Sequence, residues 1–216
     1  MTRTVHRTLL VAALAGATAI PSAALAQAAR TPEPAGDALP QADREALAAA
    51  EQLASDAGQM LDQWIISQAS TEDKLFSRLY FPIPKTDPQK YNTPYDALAD
   101  RDLIGPEDKA LSRSSALMYA IVTDINGYVP AHNTKFAKPM SGNTAQDYTD
   151  NRTKRIFGDP ASFAAARFER NASSGNRYLI QRVVLETGDV IYDLSVPVTV
   201  RGKHWGCARV GYRRSE

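Results

Sequence analysis

Arg152 and Arg155 stand one helical turn apart in the stretch Asp150–Phe157 (DNRTKRIF), so on a helix both guanidinium groups would face the same way. Placed like that they could clamp a carboxylate or another anion. The same pair could equally form a solvated helix face, pairing with Asp150 or Asp159. A second polar set sits beside apolar residues. Asp193 and Ser195 share one strand face with Ile191, Pro197 and Thr199, while Val190, Tyr192, Leu194, Val196, Val198 and Val200 share the other. Solvent exposure accounts for the polar face, and a pocket would too if loops cover it. In Asp124–Asn133 (DINGYVPAHN), Asn126 and Gly127 suit a tight hairpin whose two central positions need positive φ. Tyr128, His132 and Asn133 follow and are candidates to cap that pocket, although Asn133 could simply bond its own loop backbone. His132 and Asn133 fit the ordering of a loop better than catalysis, with Trp205 a further candidate support of loop or pocket.

No catalytic set accompanies these residues. The chain has no G-x-S-x-G, no G-x-x-x-x-G-K-[ST] and no H-E-x-x-H, so hydrolase-elbow, P-loop and zincin chemistry lack their motifs. His132, His204 and Cys207 have no metal-ligand spacing, and no C-x-x-C-H is present to attach haem. The expectation is a protein that is not an enzyme and carries neither metal nor cofactor.

The elements that must position these side chains can be read from hydrophobic period. From Gln41, residues Leu53, Ala57, Met60, Leu61, Trp64, Gln68, Thr71, Leu75 and Leu79 recur at helical spacing. This predicts one long amphipathic helix ending near Tyr80, where Pro82 and Pro84 stop it. Phe81–Asn92 reads as a proline-punctuated loop, and Tyr95–Ser112 as short helices broken at Gly105-Pro106. The continuous apolar run Ala116–Val122 suits a central strand. Asp147–Phe157 and Ala161–Phe168 read as two short helices, the second started by Asp159-Pro160. Arg177–Glu186, Asp189–Val200 and Lys203–Tyr212 then form three strands joined by Thr187-Gly188 and Arg201-Gly202, with a bulge or unpaired edge expected at Pro197. The sum is an α+β domain, an antiparallel sheet with attached helices.

The first residues speak to compartment. A basic start at Arg3 and Arg7, a short apolar run Leu9–Ile20 and small residues at Ala24-Leu25-Ala26 predict a signal peptide over residues 1–26, cleaved before Gln27 into the periplasm. Residues 27–39, rich in alanine and proline, read as a flexible leader, and residues 40–216 as one domain with a real core. Nothing after Ala26 is long and apolar enough to span a bilayer, so the mature chain should be soluble. The 216 residues hold 25 Lys and Arg against 24 Asp and Glu, and loss of Arg3 and Arg7 leaves the balance near neutral. That argues against a nucleic-acid partner, which would want a basic patch. Cys207, the single cysteine, forms no internal disulfide, and its apolar neighbours predict a buried, inert thiol.

Several separated stretches, DINGYVPAHNTKFAKPMSG, NRTKRIF, DLSVPVTVRGKHWG and ARVGY, together with the entering segment FPIPKTDPQKYNTPYDALADR, resemble the sensory domain of bacterial methyl-accepting chemotaxis proteins, a Cache or PAS-like module. The resemblance covers roughly residues 79–212, and the preceding long helix is similar to the N-terminal helix of Cache sensors. It implies a PAS-like antiparallel sheet flanked by helices that binds a small ligand without turnover. The chain departs from such receptors in having no transmembrane helices or signalling coiled coil, and in reading His204-Trp205-Gly206-Cys207 where they tend to read HWGG. The expectation is therefore a freestanding periplasmic sensory or binding protein. On that reading Arg152 and Arg155 would hold an organic anion, Asp193, with Ser195 beside it, an amine or hydroxyl, and Tyr128 would form a wall. It would report to a membrane receptor or kinase. The alternative is an interaction module that dimerises, or docks such a partner, through Met60, Leu61 and Trp64 of its long helix.

Overall fold

The computed structural model describes residues 29–30, 39–169, 175–184 and 189–214. The expected signal over residues 1–26, most of the leader and the Thr187-Gly188 turn lie outside the described residues. The chain is a mixed α+β structure: a long helix, α1 (Gln41–Ile66), packs on one face of a five-stranded antiparallel sheet. The strands are β1 (Ala29–Arg30), β4 (Leu117–Asp124), β7 (Leu179–Val184), β8 (Val190–Val200) and β9 (Lys203–Tyr212), in the order β1-β7-β8-β9-β4.

The buried stripe of α1 is small as well as apolar: Ala46, Ala49, Ala50, Ala54 and Ala57 alternate with Leu47, Leu53, Leu61 and Trp64. Alanine lets the helix backbone approach the strands closely, and the facing residues Leu194, Val196, Val198, Ala208 and Val210 are likewise sealed. Asp43 in the first turn is fully buried and holds Arg214 through two bonds of 2.7 and 2.6 Å, tying the helix start to the chain end. The helix stops at Ile66, well short of Tyr80. Gln68 takes φ 60°, Ser67 Oγ donates to the Gln63 carbonyl at 2.8 Å, and Ser70 N–H returns to the Trp64 carbonyl at 2.9 Å. Thr71 then caps a separate short helix, α2 (Glu72–Leu75), so local side-chain bonds win over the continuing apolar period.

Two further expectations change. Phe81–Asn92 is more than a loop, since β2 (Phe81–Ile83) and β3 (Lys90–Asn92) pair antiparallel. The break between α3 (Asp96–Asp102) and α4 (Ile104–Leu111) falls at Leu103, and Gly105-Pro106 lies inside the first turn of α4, where a missing N–H costs nothing. After β4, Gly127 N–H bonds the Asp124 carbonyl at 2.9 Å, making a turn centred on Ile125 and Asn126 with only Gly127 at positive φ. The chain does not double back along β4; β5 (Tyr128–Val129) pairs with β6 (Arg155–Ile156). The turn at Arg201-Gly202 is the two-residue type with both residues at positive φ, 52° and 74°. Pro197 stays paired opposite Cys207, beyond the end of β7, and the register shift comes one residue later, between Val198 and Thr199.

β4 is an edge strand, although its apolar run reads as a central one. Its free side is closed by side chains: Asn133 Oδ1 accepts from Ala120 N–H at 2.8 Å and Glu107 Oε1 from Val122 N–H at 3.0 Å. Glu107 is fully buried on α4, its Oε2 without a partner among the described residues. Burial pushes its carboxyl well above the ordinary 4.5; the Val122 N–H opposes this and Asp108 adds to it. A raised folded pKa means that the native state keeps a proton the unfolded chain releases above pH 4.5. The contribution is complete below that pH and is lost as pH rises toward the folded value. Glu107→Gln removes the titration and keeps the acceptor. As pH rises above 4.5 toward the folded pKa, the variant should gain on the wild type by up to ~1.4 kcal/mol per pH unit in urea denaturation. A difference that stays constant with pH would show that Glu107 is not held neutral.

Candidate functional site

The sheet face turned away from α1 carries the polar residues, and it is covered. Asp193 and Ser195 are fully buried, which replaces solvent exposure as the account of that face. α6 (Pro160–Ala166), started by Asp159 with Pro160 at its first position, lies over it. Gln181 reaches the Ala161 carbonyl at 2.8 Å and Cys207 Sγ the Phe168 carbonyl at 3.3 Å. Cys207 is a buried thiol whose pKa burial raises.

Asp193 is the centre of a closed network. Arg209 Nη2 binds its Oδ2 at 2.7 Å and Nε approaches both oxygens at 3.2 and 3.3 Å. Tyr119 donates its hydroxyl to Oδ2, and Ser195 donates to Oδ1 at 3.1 Å. Gly211, paired with both Tyr119 and Asp193, leaves the space for this: a Cβ there would stand 2.1 Å from the Tyr119 ring. Burial opposes the charge of Arg209, but Asp193 outweighs it and raises the arginine's pKa. Burial and then Asp193 raise the Tyr119 phenol. The aspartate therefore has no free acceptor to offer an amine without losing a partner.

Next to this network stands a set of the opposite kind. The His132 ring lies 6.4 Å from Tyr119 and 4.9 Å from Phe136, edge to face. It is 2% exposed, and Nδ1 has no partner among the described residues. Burial, then the charges of Arg152, Lys135 and Arg155, lower its pKa to about 3, so it is neutral. Arg152 stacks on Phe136 at 5.0 Å. Arg155, 8% exposed, lies over Tyr148 at 4.5 Å and Phe157 at 4.9 Å, and Nη1 donates to the Tyr148 carbonyl at 3.1 Å. Burial lowers its pKa; the Tyr148 bond resists and Arg152 adds repulsion. Among the described residues, Arg152, Arg155 and Lys135 form no salt bridge.

The two arginines are not neighbours on a helix. α5 (Thr144–Asp150) ends at Asp150, Arg152 follows in a loop and Arg155 is in β6. The reason is a contact across the fold. Buried Lys90 on β3 binds the Asn151 carbonyl, Asn151 Oδ1 and the Thr153 carbonyl at 3.3, 2.5 and 2.6 Å, and Lys154 turns the chain at φ 58°. Burial, then Arg155 and Lys154, pull the Lys90 pKa down to about 8. The solvated pairing with Asp150 or Asp159 is absent too, since Asp150 binds Lys138 at 3.0 Å and Asp159 caps α6.

The structure thus brings Arg152 and Arg155 near His132, whose ring meets Tyr119 of the Asp193–Ser195 network. It places Tyr128 and Trp205 elsewhere, in an aromatic cluster with Tyr80 and Tyr95. Tyr128 donates to Asp96 at 2.9 Å, and Trp205 Nε1 to the Leu75 carbonyl at 3.0 Å. Asn133 closes the edge of β4, bonding a neighbouring strand where its own loop was the expected partner. Sequence reasoning missed Tyr119, Phe136, Tyr148, Phe157 and Arg209. A charge amid the apolar strand residues of β9 was the available signal for Arg209; it is the register shift between Val198 and Thr199, and not the turn alone, that sets it opposite Ser195. No known protein-family model, curated protein or solved structure matches the chain.

Asp193→Ala should cost about 3–5 kcal/mol in urea denaturation, because it strands the buried Arg209 charge. Replacing both, Asp193→Leu with Arg209→Met, should recover most of that loss. Equal destabilisation by the single and double variants would refute the pairing as the cause.

Proposed function

We propose that the chain is a periplasmic small-ligand-binding sensory domain of the single Cache, PAS-like type, binding without turnover and reporting to a membrane partner. The observation that carries this reading is the contrast between the network on the covered sheet face and the basic residues around His132, which meets Tyr119 of that network. One polar network is saturated internally, while the basic set beside it, Arg152, Arg155 and Lys135, forms no salt bridge with the described residues. Of the three, Arg155 is buried, Arg152 half-buried and Lys135 exposed; a buried cation without a counter-charge is costly, and an anionic ligand would offset that cost at Arg155. The arrangement of a long helix on one face and polar groups on the other accords with the resemblance to chemoreceptor sensory domains.

A route from ligand to helix is available. Tyr119 abuts the His132 ring and lies on β4, β4 is bonded along its edge to α4, and α4 packs on α1. A ligand that prefers one arrangement of these elements would shift their population. Of the residues named for the docking alternative, Leu61 and Trp64 are buried against the domain itself, with Trp64 Nε1 donating to Asp102 at 2.7 Å, while Met60 is partly exposed.

Thermal unfolding of the purified protein against organic acids, amino acids, amines and purines tests the proposal. A ligand at 100 times its dissociation constant should add about 2.7 kcal/mol to a protein that binds it only when folded. A well-folded protein that answers to none of these classes would overturn the sensory reading.

A further inference from the structure

The geometry points to a docking surface for an anionic lipid bilayer on the stretch that enters β2, where Leu79 and Phe81 would sink into the headgroup layer and Arg78 and Lys85 would meet lipid phosphates. This stands apart from the ligand-binding reading above. Among the described residues six large apolar side chains are exposed, and Leu79 and Phe81, at 60% and 54%, are the two that stand together in the chain. Pro82 and Pro84, which follow, are exposed as well.

Tyr80, between the two, fixes how they are presented. Its hydroxyl donates to the buried Asp124 at 2.5 Å and accepts from Asn126 Nδ2 at 2.9 Å, and its ring meets those of Tyr128 and Tyr91 at 5.4 and 6.4 Å. With Tyr80 anchored inward, the apolar pair is carried outward on a held backbone, and docking has little left to order.

A partner strand is a poor occupant of the same place. Tyr91 N–H bonds the Lys154 carbonyl at 2.8 Å, and the Tyr91 carbonyl accepts from the Tyr128 hydroxyl at 2.9 Å, so the Tyr91 backbone faces away from β2. Pro82, its pair in the ladder, therefore turns its own backbone to the outer edge of the hairpin. Pro82 has no N–H to offer there, and neither has Pro84. An added strand would miss its donors, whereas a lipid surface asks for none.

The charge fits that surface. Residues 74–86 hold three cations, Lys74, Arg78 and Lys85, and no acid, with Asp73 and Asp87 just outside. All three cations are exposed, and none forms a salt bridge with the described residues. Arg78 is felt at the buried Asp124 and is itself open to solvent. Exposed apolar groups set between unpaired cations suit a bilayer whose headgroups are negative, because insertion and phosphate contact then act together.

The test uses vesicles of phosphatidylcholine alone and of phosphatidylcholine with phosphatidylglycerol in equal parts. Trp64 and Trp205 are buried, so Phe81→Trp adds an exposed reporter against a constant background. Its emission should move to the blue with the anionic vesicles, far less with the neutral ones, and retreat as salt is raised. In co-sedimentation the wild-type chain should bind the anionic vesicles. Arg78→Glu with Lys85→Glu, and separately Leu79→Ser with Phe81→Ser, should each weaken that binding about tenfold with the unfolding midpoint unchanged. Should the serine pair disturb folding, Phe81→Trp and the charge pair carry the decision. No binding to either vesicle, equal binding to both, or full binding by a folded serine pair or charge pair would each overturn the surface. Self-association in sedimentation velocity that the serine pair abolishes, without vesicle binding, would assign the patch to a second copy of the chain and overturn it too.

Discussion

A carboxylate with no exposure to solvent must find its counter-charge inside the protein, and the rest of this sheet is arranged around that requirement at Asp193. Arg209 supplies the charge from the neighbouring strand. For it to do so, β8 and β9 must pair with Ser195 opposite Arg209 and Asp193 opposite Gly211. A slip of one residue would turn Arg209 toward the alanine-rich face of α1 and put an apolar residue beside Asp193. The pairing of β4 with β9 sets Gly211 under Tyr119, so the third strand of the network is positioned by the absence of a side chain.

The Asp193 network and the residues around His132, which meet at Tyr119, differ in their electrostatics. Around Asp193 every described charge is met. Around His132 the guanidinium groups rest on aromatic rings instead of carboxylates. Ring stacking holds an arginine in place and leaves part of its hydrogen-bonding capacity unspent. The proposed ligand-binding reading rests on that contrast.

The closing strands were legible because apolar residues alternate along Val190–Val200 and Arg201-Gly202 is a turn of known geometry, although the register beyond Thr199 depends on a shift that the turn does not predict. The start of α1 was legible from its alanine and leucine stripe. Its end was not, because Ser67, Gln68 and Thr71 stop the helix through local bonds that an apolar period cannot report. Arg152 and Arg155 were found as residues and misplaced as geometry. The Lys90 ammonium that halts their helix comes from some sixty residues earlier in the chain, and no local window contains it. The edge position of β4 was hidden for a similar reason, since Asn133 and Glu107 make that strand as enclosed as a central one.

Those two side chains have a consequence for how the protein behaves among its own copies. An uncovered strand edge is a template on which another chain can extend the sheet. Here the outward amides of Ala120 and Val122 are already spoken for, by an amide oxygen and by a carboxyl whose pKa burial raises. A strand arriving from another molecule would have to displace both and expose the buried acid to do so. The sheet is thus blocked at this side against growth into a shared, intermolecular ribbon, by chemistry and not by bulk.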